Sequence, residues 1–279
     1  MKAWLDHLLS ADERSAFDDE GFLVVRNALR DPLRSEIETI VDAHDATFRA
    51  EPGVGPFNVL NEHDLIGKEP RWLELLDLPT TFPKVFGIMG WHIKLFHTQL
   101  LVTPPVGPAA QAGGYGWHQD NNRMNRDLET ALHPMISLKV GYFLTDVSEP
   151  GRGNLCVVPG SHRLAKGGFV VEGDGQPAGA IEVLAQPGDA IVFDRRLWHS
   201  ASSNRWDRPR KFLTFGYSYR WLQPKSAMRH DDLIATVDPV RGQLLGACTS
   251  ANGYYDPQPD DVPLRAWMEA NLGPAAISS

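Results

Sequence analysis

The chain has 279 residues, of which 42% are hydrophobic and 22% charged, and its net charge at pH 7 is −8. This composition suits a folded protein with a sizeable core, and the acidic balance argues against nucleic-acid or anionic-membrane binding, which needs clustered positive charge. Two cysteines are too few for a disulfide framework or a structural zinc site. Because we find neither a signal peptide nor a membrane-spanning stretch, we expect a cytoplasmic protein.

The first part of the chain, about residues 1–92, is predicted to be helical around one strand. Ser10 and Glu13 have the spacing of a capping box, which predicts that a helix begins there. Asp31 followed by Pro32 predicts a second helix with an aspartate N-cap and proline at its first position. The other predicted elements are a strand at residues 21–26 and short helices at residues 71–76 and 82–89.

From about residue 93 the pattern changes to short strand-like segments separated by Gly and Pro. Helices followed by many short strands indicate a β-sandwich or barrel core with helical wrapping. The tail, about residues 223–279, is predicted to consist of helices and loops. Because no long polar linker interrupts the chain, we expect one domain over residues 1–279, with its core at about 93–222. The predicted strands are residues 93–102, 136–145, 155–158, 169–172, 180–184, 190–193 and 212–219.

A His-x-Asp pattern, which can bind metal, occurs at residues 118–120 and again at residues 230–232. On a strand, such a pair places imidazole and carboxylate on one side, and a distant histidine can complete the 2-His-1-carboxylate face of non-haem iron oxygenases. No histidine follows the second copy, and Asp231 or Asp232 suits the cap or first turn of a helix. Downstream of the first copy, His199 follows the strongest strand pattern. The sequence therefore favours His118, Asp120 and His199 as catalytic metal ligands.

An arginine supports this choice. Arg210 follows His199 by eleven residues and opens a predicted strand, where its planar guanidinium can meet a carboxylate close to the metal. Taken alone, His199 would be interpreted as a core histidine bonded to a backbone carbonyl. The order His-x-Asp, His, Arg, with strands between, is much more specific than any one of its members.

Several motifs spread along the chain are similar to those of one family. They are Trp117-His-Gln-Asp120, Leu144-Thr-Asp146, Gly153-Asn-Leu-Cys-Val-Val-Pro-Gly-Ser-His162, Gly188-Asp-Ala, Trp198-His-Ser and Asn204-Arg-Trp-Asp-Arg-Pro-Arg210. With them the chain resembles the phytanoyl-CoA dioxygenase (PhyH) family of Fe(II)/2-oxoglutarate-dependent oxygenases over nearly its whole length. The resemblance implies a mainly β fold with helical wrapping. Its core would be a double-stranded β-helix, a cupin-like jelly roll, with N-terminal and C-terminal helices.

The resemblance also implies the cofactors and their ligands. His118, Asp120 and His199 match the iron ligands, and Arg210 matches the residue that holds the distal carboxylate of 2-oxoglutarate. Two further residues are expected near the co-substrate. Gln99 resembles a family glutamine, although an ordinary strand residue is the alternative, and Thr103 stands where many relatives have a lysine.

The implied reaction consumes O₂ and 2-oxoglutarate and hydroxylates a C–H bond of a small organic metabolite or natural-product intermediate, with release of succinate and CO₂. The alternatives are desaturation, cyclisation or epimerisation with the same cofactors, or a non-catalytic metal-binding jelly roll. We expect a monomer or homodimer that binds a small molecule and neither nucleic acid nor membrane. Residues 121–126 are predicted to form a polar loop, facing an anionic group or solvent. The candidate substrate contacts are Trp117, Asn121, Arg123, Met124 and Trp221.

Overall fold

The computed structural model describes residues 3–107, 115–165, 168–169, 171, 175–225, 230–249 and 257–278. The helices among them are α1 (Ala11–Glu20), α2 (Leu33–Arg49), α3 (Trp72–Leu76), α4 (Phe82–Met89), α5 (Asn122–Asp127), α6 (Asp231–Ile234), α7 (Pro239–Leu244) and α8 (Pro263–Leu272). The strands are β1 (Phe22–Val25), β2 (Leu60–His63), β3 (Ile93–Thr103), β4 (Ser137–Phe143), β5 (Leu155–Val157), β6 (Ile181–Glu182), β7 (Ala190–Asp194), β8 (His199–Ala201) and β9 (Arg210–Tyr219).

The strands form two antiparallel sheets. The large sheet has the order β1-β7-β4-β9-β3-β2, and the small sheet has the order β6-β5-β8. Because side chains alternate along a strand, the large sheet has two different faces. One face, with Val140, Leu213 and Phe215, packs against the helices in the main core. The other, with Phe143, Ile191 and Phe212, belongs to a second hydrophobic cluster that includes residues of the small sheet.

This architecture confirms the predicted class, a mainly β core with helical wrapping, although the large sheet is not closed into a barrel. The strands predicted from residue 93 onward are found, except that residues 169–172 fall partly outside the described residues, and Phe169 and Val171 lie in no strand. Two strands, β2 and β8, were not predicted. The one-domain organisation stays a prediction. No described helix has the length and hydrophobicity needed to cross a bilayer.

The N-terminal helices show one correct and one wrong cap prediction. The Ser10 capping box is present, because the Glu13 amide donates to Ser10 Oγ at 3.1 Å and the Ser10 amide donates to Glu13 Oε2 at 2.8 Å. In contrast, α2 begins at Leu33, with Pro32 in the N-cap position, so the predicted Asp31 N-cap is wrong. The Asp31 carboxylate instead accepts hydrogen bonds from side chains of the first turn, those of Arg34 and Ser35.

Candidate active site

Backbone pairing brings the three candidate metal ligands together. His118 and His199 exchange main-chain hydrogen bonds of 3.0 Å in both directions, and the Asp120 amide donates to the Arg195 carbonyl at 2.9 Å. One ligand atom from each of His118, Asp120 and His199 lies within 4.8 Å of the others. No other group of three or more His, Cys, Asp or Glu side chains meets this condition in the described part of the chain. The His-x-Asp copy at residue 230 is therefore no alternative there.

Both imidazole rings are oriented by backbone carbonyls. His118 Nδ1 lies 2.7 Å from the Gly116 carbonyl oxygen, and His199 Nδ1 lies 2.8 Å from that of Leu197. Since a carbonyl only accepts, each Nδ1 carries the proton and each Nε2 keeps its lone pair for a metal. Burial is the main reason why the pKa of His199 is lowered to about 4, so this ring is neutral at pH 7. His199 is thus ready to bind a metal without losing a proton.

Asp120 is held by a lysine on one side only. Lys139 of β4 donates from Nζ to Asp120 Oδ1 at 2.8 Å, while Oδ2 is buried without a hydrogen-bond partner among the described residues. Burial raises the pKa of Asp120, but the charge of Lys139 and its hydrogen bond to the carboxylate outweigh this effect and hold the pKa below its usual range. The carboxylate is therefore ionised, with one buried oxygen left to bind a cation.

A second cation fixes the backbone that carries Asp120. Arg195 is completely buried and donates to the Pro134 carbonyl at 3.1 and 2.8 Å, to the Asp120 carbonyl at 3.3 Å and to Asn125 Oδ1 at 2.6 Å. Sequence reasoning missed both Lys139 and Arg195. The available signal was a charged residue inside or directly after an apolar strand, because such a residue is rarely buried without a specific partner.

Beside the ligands lies a cavity of about 380 Å³ that contains Arg210. The guanidinium of Arg210 lies 4.3 Å from the centre of the Phe212 ring, and no described acidic side chain pairs with it. Burial lowers the pKa of Arg210 to about 10. Arg210 Nε, Ser200 Oγ and Thr214 Oγ1 are buried without partners among the described residues. The lining consists of Gln99, Leu101, Gly116, His118, Lys139, Leu155, Phe193, His199, Ser200, Ala201, Arg210, Phe212 and Thr214.

These features fit a metal ion together with an anionic co-substrate. A buried arginine without a protein partner needs an anion, and a dicarboxylate supplies one at a distance from the metal. The unpartnered hydroxyl groups of Ser200 and Thr214 can donate to the same molecule. The donor set of two imidazoles and one carboxylate is the set that non-haem iron oxygenases use.

The two residues predicted to lie near the co-substrate are placed differently. Gln99 lines the cavity, and its Nε2 donates to Asn61 Oδ1 at 2.8 Å. Thr103 is paired with Arg210 in the β3–β9 register but is not part of the lining, and its carbonyl accepts from Asn204 Nδ2 at 3.0 Å. The structure thus keeps Gln99 as a candidate and does not bring Thr103 to the cavity.

None of the five predicted substrate contacts lines this cavity. Trp117 alternates with His118, stacks on Tyr115 and donates to the Gly175 carbonyl at 2.7 Å, so it lies on the opposite side of the segment. Trp221 lines a different cavity of about 720 Å³, next to α4 and α8. The predicted polar loop at residues 121–126 is largely the helix α5. This helix carries the other three predicted substrate contacts, with Asn121 at its N-cap and Arg123 and Met124 within it.

Several solved structures share the fold. HygX from Streptomyces hygroscopicus, with nickel and 2-oxoglutarate bound, is 18% identical with a TM-score of 0.61, over 80% of this chain and 93% of that chain. EctD from S. alaskensis with bound Fe is 20% identical with a TM-score of 0.61, over 81% and 83% of the two chains. SnoN, a non-haem α-ketoglutarate-dependent epimerase from nogalamycin biosynthesis, is 20% identical with a TM-score of 0.57, over 74% and 79%. This likeness confirms the predicted jelly-roll core.

A comparison with family models identifies the chain more specifically. The model of the phytanoyl-CoA dioxygenase (PhyH) family matches residues 17–212, which is well over half of the chain. The match includes His118, Asp120, His199 and Arg210, and it confirms the resemblance found in the sequence motifs. The chain therefore belongs to the phytanoyl-CoA dioxygenase family and is an oxidoreductase of the iron- and 2-oxoglutarate-dependent class.

Proposed function

We propose that the chain hydroxylates an unactivated C–H bond of a small organic metabolite or natural-product intermediate, using O₂ and 2-oxoglutarate and releasing succinate and CO₂. One observation carries this proposal: three ligand atoms lie within 4.8 Å of one another, beside a cavity that contains the buried Arg210, which pairs with no acidic side chain among the described residues. The protein acts as a monomer or homodimer in the cytoplasm.

The metal ligands have complementary roles. His118 and His199 bind Fe(II) through Nε2, because their Nδ1 protons are held by backbone carbonyls. Asp120 binds through Oδ2, because Lys139 occupies Oδ1. When bound, iron and 2-oxoglutarate together activate O₂ for attack on the C–H bond. Three protein ligands would leave coordination positions of the metal free for small molecules, as the reaction requires.

Arg210 selects the co-substrate. Its guanidinium pairs with the distal carboxylate of 2-oxoglutarate, and the hydroxyl groups of Ser200 and Thr214 and the amide of Gln99 are available to the same molecule. Apolar side chains, Leu155, Phe193 and Phe212 among them, form part of the cavity wall. Low polarity strengthens each charge interaction inside the cavity and protects reactive species from solvent.

Other outcomes of the same chemistry are the second candidate. SnoN is described as an epimerase and SnoK, which also shares the fold, as a carbocyclase. Product mass separates the outcomes, since hydroxylation adds one oxygen atom, epimerisation leaves the mass unchanged, and desaturation or ring formation removes two hydrogen atoms. A non-catalytic metal-binding protein is less consistent with the site, because it has no use for a buried Arg210 in the cavity beside the metal ligands.

Anaerobic titration with Fe(II) and 2-oxoglutarate tests the function. Chelation of the metal by the keto acid should give a weak visible charge-transfer band in the wild type. The band should be absent in His199→Ala and present in His230→Ala, which removes the histidine of the other His-x-Asp copy. A wild type without the band would refute the proposal. Screening a metabolite library for stimulated succinate release then identifies the substrate.

A further inference from the structure

Arg210 and the metal ligands are far apart along one face of the large sheet. Lys139 donates to Asp120 and pairs with Gly216 of β9, so the metal ligands lie over this part of the sheet. Arg210 lies six residues before Gly216 on the same strand, which corresponds to about 20 Å of extended chain. Because a keto acid is much shorter, the Arg210 side chain has to reach toward the metal. The position of its guanidinium therefore decides the length of the diacid that fits between them.

The guanidinium of Arg210 lies on the ring of Phe212. Its central carbon is 4.3 Å from the ring centre, and both residues line the cavity beside the metal ligands. A guanidinium is stabilised by stacking on an aromatic face, so the ring gives this end of the side chain a preferred position. The other end is confined as well, since a Cβ on Gly153 would lie 3.3 Å from Arg210 Cβ and 3.4 Å from its Cγ. Arg210 is thus held along its whole length.

The Phe212 ring is in turn held by a glycine. Phe212 pairs with Phe143 across β4 and β9, and the two ring centres are 4.9 Å apart. From there the ring leans toward the metal, into the next row of the sheet, where Gly141 pairs with Thr214. A Cβ on Gly141 would overlap the tip of the ring, so the glycine is required for this position. Because the ring is buried in a closely packed cluster, it forms a rigid surface under the guanidinium.

We propose that Phe212, packed on Gly141, is a positioning residue that fixes the reach of Arg210 and thereby the length of the keto acid. The site accepts the five-carbon 2-oxoglutarate and discriminates against 2-oxoadipate, its six-carbon homologue. The longer acid requires the guanidinium to withdraw from the metal, and the ring occupies the space that this movement needs. This inference rests on the proposed function and deepens it, because it names the residues that set the length selectivity of the co-substrate site.

Titration with two keto acids tests the proposal without knowledge of the organic substrate. The full chain is loaded with Fe(II) and titrated anaerobically with 2-oxoglutarate or 2-oxoadipate, and the visible band gives both dissociation constants. In the wild type, 2-oxoglutarate should bind about 10-fold or more tightly, which is the discrimination that one methylene group gives in a shaped pocket. In Phe212→Leu this ratio should fall about threefold or more, because the smaller side chain leaves the longer acid and Arg210 more room.

A control and two further variants make the result specific. Phe215→Leu is the same change on the same strand, but Phe215 points into the main core on the opposite face, so the ratio should stay unchanged. Phe212→Met keeps more of the side-chain volume but lacks the flat ring, and should also lower the ratio, which keeps the test valid if Phe212→Leu does not fold. Gly141→Ala displaces the ring and should weaken 2-oxoglutarate binding without changing the affinity for Fe(II).

Three results would overturn the proposal: equal affinities of the wild type for the two acids, a wild-type ratio in both Phe212 variants, or an equal fall of the ratio in Phe215→Leu. A purely structural role of Phe212 would weaken the binding of both acids by the same factor and leave the ratio unchanged. Absence of the band with either acid in the wild type would refute the proposed function as well. Failure of the proposed function is therefore distinguishable from failure of the length selection alone.

Discussion

Replacing Arg210 by methionine removes the charge at the co-substrate end of the cavity and keeps a long apolar side chain there. Arg210 is 3% exposed, its pKa is lowered by burial, and no described acidic side chain neutralises it. A buried positive charge without a protein partner is stabilised by an anion that binds from outside. We therefore expect Arg210→Met to lose affinity for 2-oxoglutarate and to keep its affinity for Fe(II), since Arg210 is not a metal ligand.

The size of the expected loss of affinity follows from the burial of the ion pair between Arg210 and the co-substrate carboxylate. Truncating one partner of a buried, hydrogen-bonded charge pair costs about 2–5 kcal/mol. A loss of about 3 kcal/mol corresponds to a 2-oxoglutarate affinity about 150-fold weaker. In the protein without ligands, the same substitution should not lower the free energy of unfolding. Removing a buried charge that has no partner relieves a desolvation cost. The free energy of unfolding of the ligand-free variant should therefore equal or exceed that of the wild type.

Two assays check these expectations. The visible band, titrated with 2-oxoglutarate in the presence of Fe(II), gives the dissociation constant. Thermal unfolding gives the stabilisation by 2-oxoglutarate, about 2.7 kcal/mol for the wild type at a concentration 100 times the dissociation constant. Arg208→Met is the matched control, because Arg208 is exposed and its guanidinium lies over the Trp206 ring outside the cavity. Unchanged affinity in Arg210→Met, or an equal loss in Arg208→Met, would refute the reasoning.

Three further changes probe the surroundings of the site. Arg195→Leu should lower the free energy of unfolding by about 1–3 kcal/mol, because the Pro134 carbonyl and Asn125 Oδ1 lose their donor, and should weaken Fe(II) binding, as denaturant unfolding and metal titration can show. Gly141→Val should destabilise by about 1–3 kcal/mol or more in urea, because a Cβ there would lie 2.2 Å from the Phe212 ring, and unchanged stability would contradict this contact. His97 has a folded-state pKa of about 3, below its unfolded value of about 6.5, so the unfolded chain binds more protons and stability decreases as the pH is lowered from about 6.5 to about 3. In metal-free His97→Phe this fall should be shallower by up to about 1.4 kcal/mol per pH unit, and an unchanged slope would exclude a buried neutral His97.

The arrangement of the site follows largely from local sequence rules. The period of two along a strand places His118 and Asp120 on one side, and the order His-x-Asp, His, Arg is spread over strands that the Gly and Pro pattern separates. The same rule, applied to the preceding residue, predicts that Trp117 points away from the ligands. The role of Trp117 as a substrate contact stays a prediction.

The remaining features depend on contacts between distant segments. Lys139 reaches Asp120 from β4 of the large sheet, and His97 meets Lys139 across Gly216 only because β3, β9 and β4 adopt one register. No local pattern fixes that register, because long-range pairing is set by the fold as a whole. The start of α5 could not be predicted from the local sequence either. Asn121 enters it with a φ of 63° and no side-chain cap, so the usual start signal is absent.

The most direct test of the account is a crystal structure of the protein grown anaerobically with Fe(II) and 2-oxoglutarate, with the iron located by anomalous scattering. The account predicts one iron ion bound by Nε2 of His118, Oδ2 of Asp120 and Nε2 of His199, and a 2-oxoglutarate whose distal carboxylate pairs with Arg210. Iron bound elsewhere, such as at His230, or a carboxylate directed away from Arg210, would contradict it.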